Sequence, residues 1–147
     1  AADRVASLCL EAGLRHGMVN LGGDIRVIGP RANGEAWRIG IRDPQNSKQL
    51  AATLSMRSGA LASSGDYERC ITMDGVRYGH VLSPLTGWPV AHLASVSVVA
   101  DFCLVAGSTA TIALLREASG PNWLKEMGLA HFFVDVQGRA GGSLLGA

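Results

Sequence analysis

Four stretches of this 147-residue chain gather residue types that can do polar chemistry. Asn20-Leu21-Gly22-Gly23-Asp24 sets two glycines between extended segments. A Gly-Gly step lets backbone approach a ligand closely and can aim its amides at an anion. It can equally be a tight turn or a β-bulge. It is neither G-x-G-x-x-G opening a helix nor G-x-x-x-x-G-K-[ST], so those two phosphate-binding mechanisms do not apply. The stretch 60–68 clusters Ser63, Ser64 and Asp66 around Gly65. These groups can bond a polar ligand edge or satisfy their own turn. In RYGHVLSPLTGWPV, residues 77–90, a turn carries His80 at its start, Ser83 and Thr86 within it, and Trp88 at its exit. His80 can serve acid–base chemistry near neutral pH or orient a phosphate, or it can be a hydrogen-bonded structural histidine. His92 has less context, and His16 and His131 read as surface or strand-end residues. In Ala106-Gly107-Ser108-Thr109-Ala110-Thr111, Gly107 and Thr111 share a helix face at i and i+4. Hydroxyls so placed can meet a hard cation or phosphate oxygens. A cation also wants a carboxylate, which that face lacks, and small residues there also permit close packing.

The elements that must position these groups follow from periodicity. AADRVASLCLEAGLRHG has apolar residues at Val5, Leu8, Cys9 and Ala12, a helical spacing with Gly17 as a stop. A short strand follows, then the Gly22-Gly23 break. Alternation on both sides of Asn33-Gly34 predicts a hairpin over 25–41. A strand is expected near 50–56, and a second hairpin turning at Asp74-Gly75. ASVSVVA reads as a buried strand. Residues 101–119 read as a helix of about five turns, with Asp101 as N-cap and Gly120-Pro121 closing it. NWLKEMG suggests a short helix, AHFFVDV a last strand, and the residues from about 137 a tail. The sum is one α+β domain over 1–147.

Composition narrows the class. Hydrophobic residues make up 48% and charged residues 17%, enough to bury one core. A net charge of +1 gives no electrostatic reason to expect nucleic acid or an acidic membrane. Three cysteines without a C-x-x-C pair argue against a disulfide framework or a thiolate zinc site, and read as small apolar residues. No run reaches membrane-spanning length.

Taken in order, NLGGD, GALASSGDYE, DGVRYGHVLSPLTGWPV, ASVSVVA and the small-residue helix resemble the ApbE family, the FAD:protein FMN transferases, from residue 1 to about 115. The resemblance implies an α+β, T-fold-like domain, an antiparallel sheet with packed helices. It implies FAD and Mg²⁺, and transfer of FMN to a threonine of a partner flavoprotein subunit with release of AMP. It places Asn20, Gly22, Gly23 and Asp24 on one wall of the flavin nucleotide site and Ser64, Gly65 and Asp66 on a second. Thr86 and Gly87 fall in the loop, His80 on the phosphate chemistry, and Thr111 toward the metal. A location on the outer, periplasmic face of the inner membrane is expected from the same source.

Two positions depart from the family pattern. Gly107 stands where the family has a metal-binding aspartate, and Ser83 where its loop has an aspartate before proline. Both exchanges remove charge that would offset a cation. A flavin-nucleotide-binding relative or scaffold without transfer chemistry is therefore the second reading. The family's first half is expected to lie upstream of Ala1, so the domain is expected to be incomplete at its N-terminus. A half-built sheet would leave apolar surface open, which predicts a partner: a second chain or the missing half.

Overall fold

The computed structural model describes residues 1–46, 48–65 and 69–145. Helix α1 (Ala2–Glu11) leads into β1 (Gly17–Leu21), β2 (Asp24–Gly29), β3 (Trp37–Arg42), β4 (Leu50–Met56) and β5 (Gly59–Gly65). Then come β6 (Cys70–Met73), β7 (Val76–Gly79), β8 (Leu93–Ala100) and α2 (Cys103–Leu115). A 3₁₀ turn (Glu117–Ser119), α3 (Gly120–Glu126), β9 (Ala130–Asp135) and β10 (Ala140–Gly141) complete the order. The main sheet is antiparallel in the order β1-β2-β5-β8-β9-β10. The α+β antiparallel class is the expected one.

Strand alternation assigns the two faces. Ala62, Val96 and Val98 pack toward Ala106, Ala110, Ala113 and Leu114 of α2 and Leu124 of α3. On the other face Ile25, Val27, Leu61, Phe132 and Val134 meet Ile39, Ile41, Leu54 and Met56 of the β3–β4 ribbon. β8 is central, and its first six residues are buried.

Several expectations change in physical detail. The 25–41 hairpin does not form. The turn at Asn33-Gly34 is real, with Gly34 at φ +82° and its N–H donating to Arg31 O. Both edges of β2 are taken by β1 and β5, so β3 crosses to the second layer and pairs with β4. The hairpin in this region is β1–β2 instead. Helix α1 stops at Glu11, with Gly13 at φ +89°, before Gly17 is reached. The five-turn helix ends at Leu115, because Glu117 takes φ +55° and turns its carboxylate to the backbone N–H groups of Ala91 and His92. Gly120 and Pro121 open α3 rather than close α2, Pro in the first helical turn costing no hydrogen bond. A Cβ at Gly120 would stand 2.1 Å from Ala113 O, so glycine is what lets α3 approach α2. Residues 137–145 are not a free tail: β10 pairs with β9, and Leu144 N–H donates to His131 O. His131 is buried rather than at the surface. Of the cysteines only Cys103 is buried; Cys70 is exposed and Cys9 half-buried.

Asp101 does not cap α2. The N-terminal residue Phe102 has no side-chain cap, and the cap comes from the other end of the chain. Cys103 and Leu104 N–H groups donate to Asp3 Oδ1 and Oδ2, each at 2.9 Å. Asp3 Oδ1 also lies 3.5 Å from Arg26 Nε, whose guanidinium donates onward to Gly59 O. A carboxylate here meets two unpaired amides and the positive end of the helix dipole. Replacing Asp3 by Ala is expected to cost about 2 kcal/mol of unfolding free energy, from the lost cap and the unpaired Arg26. Urea denaturation measures it, and a change below a few tenths would refute this role.

Candidate functional site

A cavity of about 810 Å³ opens at the end of the main sheet where the β1–β2 turn, the end of β5 and the β3–β4 ribbon meet. Asn20, Gly22 and Gly23 form one wall, Ser63, Ser64 and Gly65 another. His80 and Val81 come from the loop after β7, Thr111 from α2, and Arg42 and Arg69 also line it. Separate stretches of sequence from Asn20 to Thr111 thus reach one space.

Local chemistry explains each wall. Gly22 (φ +65°) and Gly23 (φ +100°) make the two-residue turn that closes β1 on β2, a shape that asks for glycine. Asn20 Oδ1 accepts Gly23 N–H at 3.1 Å and fixes that turn. Turn and ligand wall are therefore the same object. Neither glycine has a neighbour where a Cβ would point, so the backbone faces open space. Ser64 Oγ and Thr111 Oγ1 lie 2.7 Å apart, joining sheet to helix, and Thr111 also donates to Gly107 O. Ser63 and Ser97 hydroxyls pair at 2.7 Å across β5 and β8. His80 Nδ1 lies 3.2 Å from Arg69 O. A carbonyl only accepts, so this contact puts a proton on Nδ1; in the neutral imidazole Nε2 is then the acceptor, the form a general base requires.

The remaining expected residues are Asp24, Asp66, Thr86 and Gly87. Asp66 falls outside the described residues. Thr86 and Gly87 do not line the cavity. Thr86 Oγ1 accepts Trp88 N–H, and Gly87 at φ +74° donates its N–H to Ser83 O, so both shape the turn between His80 and Trp88. Asp24 and Gly107 sit behind the wall, on the sheet face that carries α2. A Cβ at Gly107 would stand 3.8 Å from Asp24 Oδ1 and 3.6 Å from Ala62 Cβ. Burial, with the Asp3 and Asp24 carboxylates nearby, pushes the Cys103 thiol up to about 11, so it is a neutral packing group. His92 bonds Glu117 at 2.9 Å and holds the loop's exit.

Sequence reasoning missed Arg42 and Arg69. Arg42 closes an alternating strand and Arg69 follows the hydroxyl-rich stretch, and nothing local marks either as converging. Nor does the chain order reveal Ile41 and Leu50 as the apolar flank of the cavity.

The donor set can be tested against Mg²⁺. No group of three His, Cys, Asp or Glu that could hold a metal exists among the described residues. Asp24 gives one carboxylate near Gly107, and Thr111 and Ser64 give hydroxyls. That set does not make an all-protein cage. It suits a magnesium ion completed by ligand phosphates and water, the usual manner for this ion.

The sequence model of the ApbE family matches residues 1–133. The chain belongs to the ApbE family. The ApbE protein of Thermotoga maritima superposes with a TM-score of 0.86 at 34% identity, over 97% of this chain and 47% of that one. The flavin transferase ApbE from Vibrio cholerae gives a TM-score of 0.78 at 30% identity, again over 97% and 47%. A relative from Treponema pallidum, named FAD:protein FMN transferase, is 36% identical over 140 residues, 81% of this chain and 38% of its own length. The chain thus spans about half the length of these solved ApbE structures and less than half of that relative.

The site's geometry makes a pH-dependent prediction. In Gly107→Asp the new side chain has room, but it stands beside the Asp24 carboxylate. Two like charges raise the folded-state pKa values of the pair. Stability should therefore drop by about 1–2 kcal/mol at pH 7 and recover as pH falls toward the ordinary carboxylate range near 4. Added Mg²⁺ should restore the melting temperature at pH 7. A variant indifferent to both pH and Mg²⁺ would mean that these two positions do not face each other.

Proposed function

We propose that this chain carries the flavin-nucleotide face of an FAD:protein FMN transferase, which moves FMN from FAD to a threonine hydroxyl of a partner flavoprotein and releases AMP. The observation that supports it best is the convergence of Asn20, Gly22, Gly23, Ser64, Gly65, His80 and Thr111 on one cavity with Arg42 and Arg69. A diphosphate must have its charge offset before a hydroxyl can approach phosphorus, and two guanidinium groups together with inward-facing backbone serve that need. In the transfer, the acceptor oxygen bonds the flavin-side phosphorus. The bond from that phosphorus to the bridging oxygen breaks, and AMP leaves with that oxygen. The acceptor's proton passes to His80 Nε2, held toward it by the Nδ1 contact with Arg69 O. Thr111, with Asp24 beside Gly107 one helical turn before it, would hold Mg²⁺, which would supply charge neutralisation as a Lewis acid.

The second reading, flavin binding without transfer, is favoured by Gly107 and Ser83, which remove two carboxylates from the family pattern. One assay separates them: FAD, Mg²⁺ and a threonine-bearing acceptor, followed by flavin fluorescence on the acceptor and by AMP. Transfer is expected, and His80→Gln should slow it by about 10²–10⁴-fold with FAD affinity held within a few-fold. Flavin binding with no AMP would support the second reading. An unchanged rate in the variant would remove His80 from the chemistry.

A second polypeptide unit belongs to the same proposal. Val5 and Leu8 on α1, and Leu104, Val105 and Ile112 on α2, are exposed, with Leu104 at 76%. Apolar residues on neighbouring helices at that exposure mark a face that another unit covers. Among the described residues no helix is long and apolar enough to cross a membrane, so that face is not read as a span. Light scattering is expected to give a mass above that of one 15.3 kDa chain unless the covering unit is supplied. A strictly monomeric chain with slow amide exchange over 102–112 would refute it.

A further inference from the structure

A second cavity, about 530 Å³, lies on the far side of the loop that carries His80. Its lining differs in kind from the flavin cavity. Val76 and Tyr78 of β7, Trp88 and Pro89 of the loop exit, Pro44, and Val136 after β9 make it mainly apolar and aromatic, with Gln45 and Arg77 as its polar members. Tyr78 and Trp88 rings tilt at 42° with centroids 6.4 Å apart. Trp88 is 67% exposed and Val76 52%.

The ribbon β6–β7 extends this surface. Its register sets Met73 opposite Val76 and Ile71 opposite Tyr78, and all four share one face. Thr72 and Arg77 pair on the other. Ile71 and Met73 are more than half exposed. A two-stranded ribbon is marginal alone, and its sheet has no third strand among the described residues. The apolar face is therefore available for an extended partner, either laid over it or added along an edge.

Position identifies that partner. Tyr78 precedes His80 by two residues, roughly 7 Å along an extended chain. The same 80–90 loop gives His80 to the flavin cavity and Trp88 to the groove. We propose that this groove docks the acceptor polypeptide: an extended segment seats an apolar side chain against the Tyr78–Trp88 pair and presents its hydroxyl a few residues away at His80. The assignment rests on the transferase reading, in which the second substrate is a protein and must bind beside the phosphoryl group. The groove's aromatic and proline lining suits a side chain, whereas the glycines, hydroxyls and guanidinium groups of the other cavity suit a nucleotide.

The test is direct binding. The labelled probe is the soluble domain of a flavoprotein subunit in its unflavinylated form, with the acceptor threonine free. Fluorescence polarisation measures its Kd for the chain, and flavin fluorescence quenching measures the Kd for FAD on the same samples. Trp88→Ala and Val76→Ser are the variants, both at exposed positions whose loss leaves the core intact. We expect acceptor binding to weaken at least tenfold in Trp88→Ala and about threefold in Val76→Ser, with FAD affinity within twofold. Acceptor affinity equal in all three proteins, or no acceptor binding by the unmodified chain, overturns the proposal. So does a parallel loss of FAD affinity, which would make the groove part of the flavin cavity. If the unmodified chain ignores FAD yet binds the acceptor through Trp88, the docking surface stands and the transferase reading falls.

Discussion

Helix α2 lies on the main sheet through methyl groups. Ala60 and Ala62 of β5 and Ala106, Ala110 and Ala113 of α2 have no exposed surface, and Gly107 would meet Ala62 if it carried a Cβ. Residues this small let a helix sit close to the strand beneath it, and the rest of the site depends on that closeness. It brings Thr111 within 2.7 Å of Ser64. A larger residue anywhere along this contact would lift the helix and separate the hydroxyl pair that joins α2 to the cavity wall.

Close packing fixes the distance between α2 and β5 but not where α2 lies along the strand. Asp3 does that, holding the first amides of α2 while Arg26 ties the same carboxylate to β2 and β5. At the other end Glu117 leaves helical geometry and grips the backbone at Ala91 and His92, where the His80 loop returns to β8. Both ends of α2 are therefore pinned by carboxylates, one to α1 and one to the loop exit. The polar cavity and the aromatic groove share that loop, so its clamp at Glu117 serves both.

Some of this was legible in the chain. The apolar run Leu93–Ala100 is the central strand because a strand covered on both faces has no polar side to alternate with. Asp74-Gly75 turns the β6–β7 ribbon because both residues accept positive φ. The Asn33-Gly34 turn misled, since turn chemistry fixes a reversal of direction and not the partner of the strand that leaves it. The glycine-rich end read as a tail because β10 is only two residues long, too short to show an alternating pattern. The helix cap was misassigned to Asp101 because the true cap lies a hundred residues away, beyond any local pattern.

The sequence by itself determined the family, most of the elements and most of the cavity's polar walls, because those rest on residue types in short contiguous patterns; β5, made of small residues, and β10 escaped it. Only the tertiary structure decided that Arg42 and Arg69 join that cavity, that Asp24 stands beside Gly107, and that Trp88 belongs to a separate groove. Each of these brings together segments distant in the chain. Their position is set by how two ribbons and a helix pack on one sheet, which no local pattern encodes.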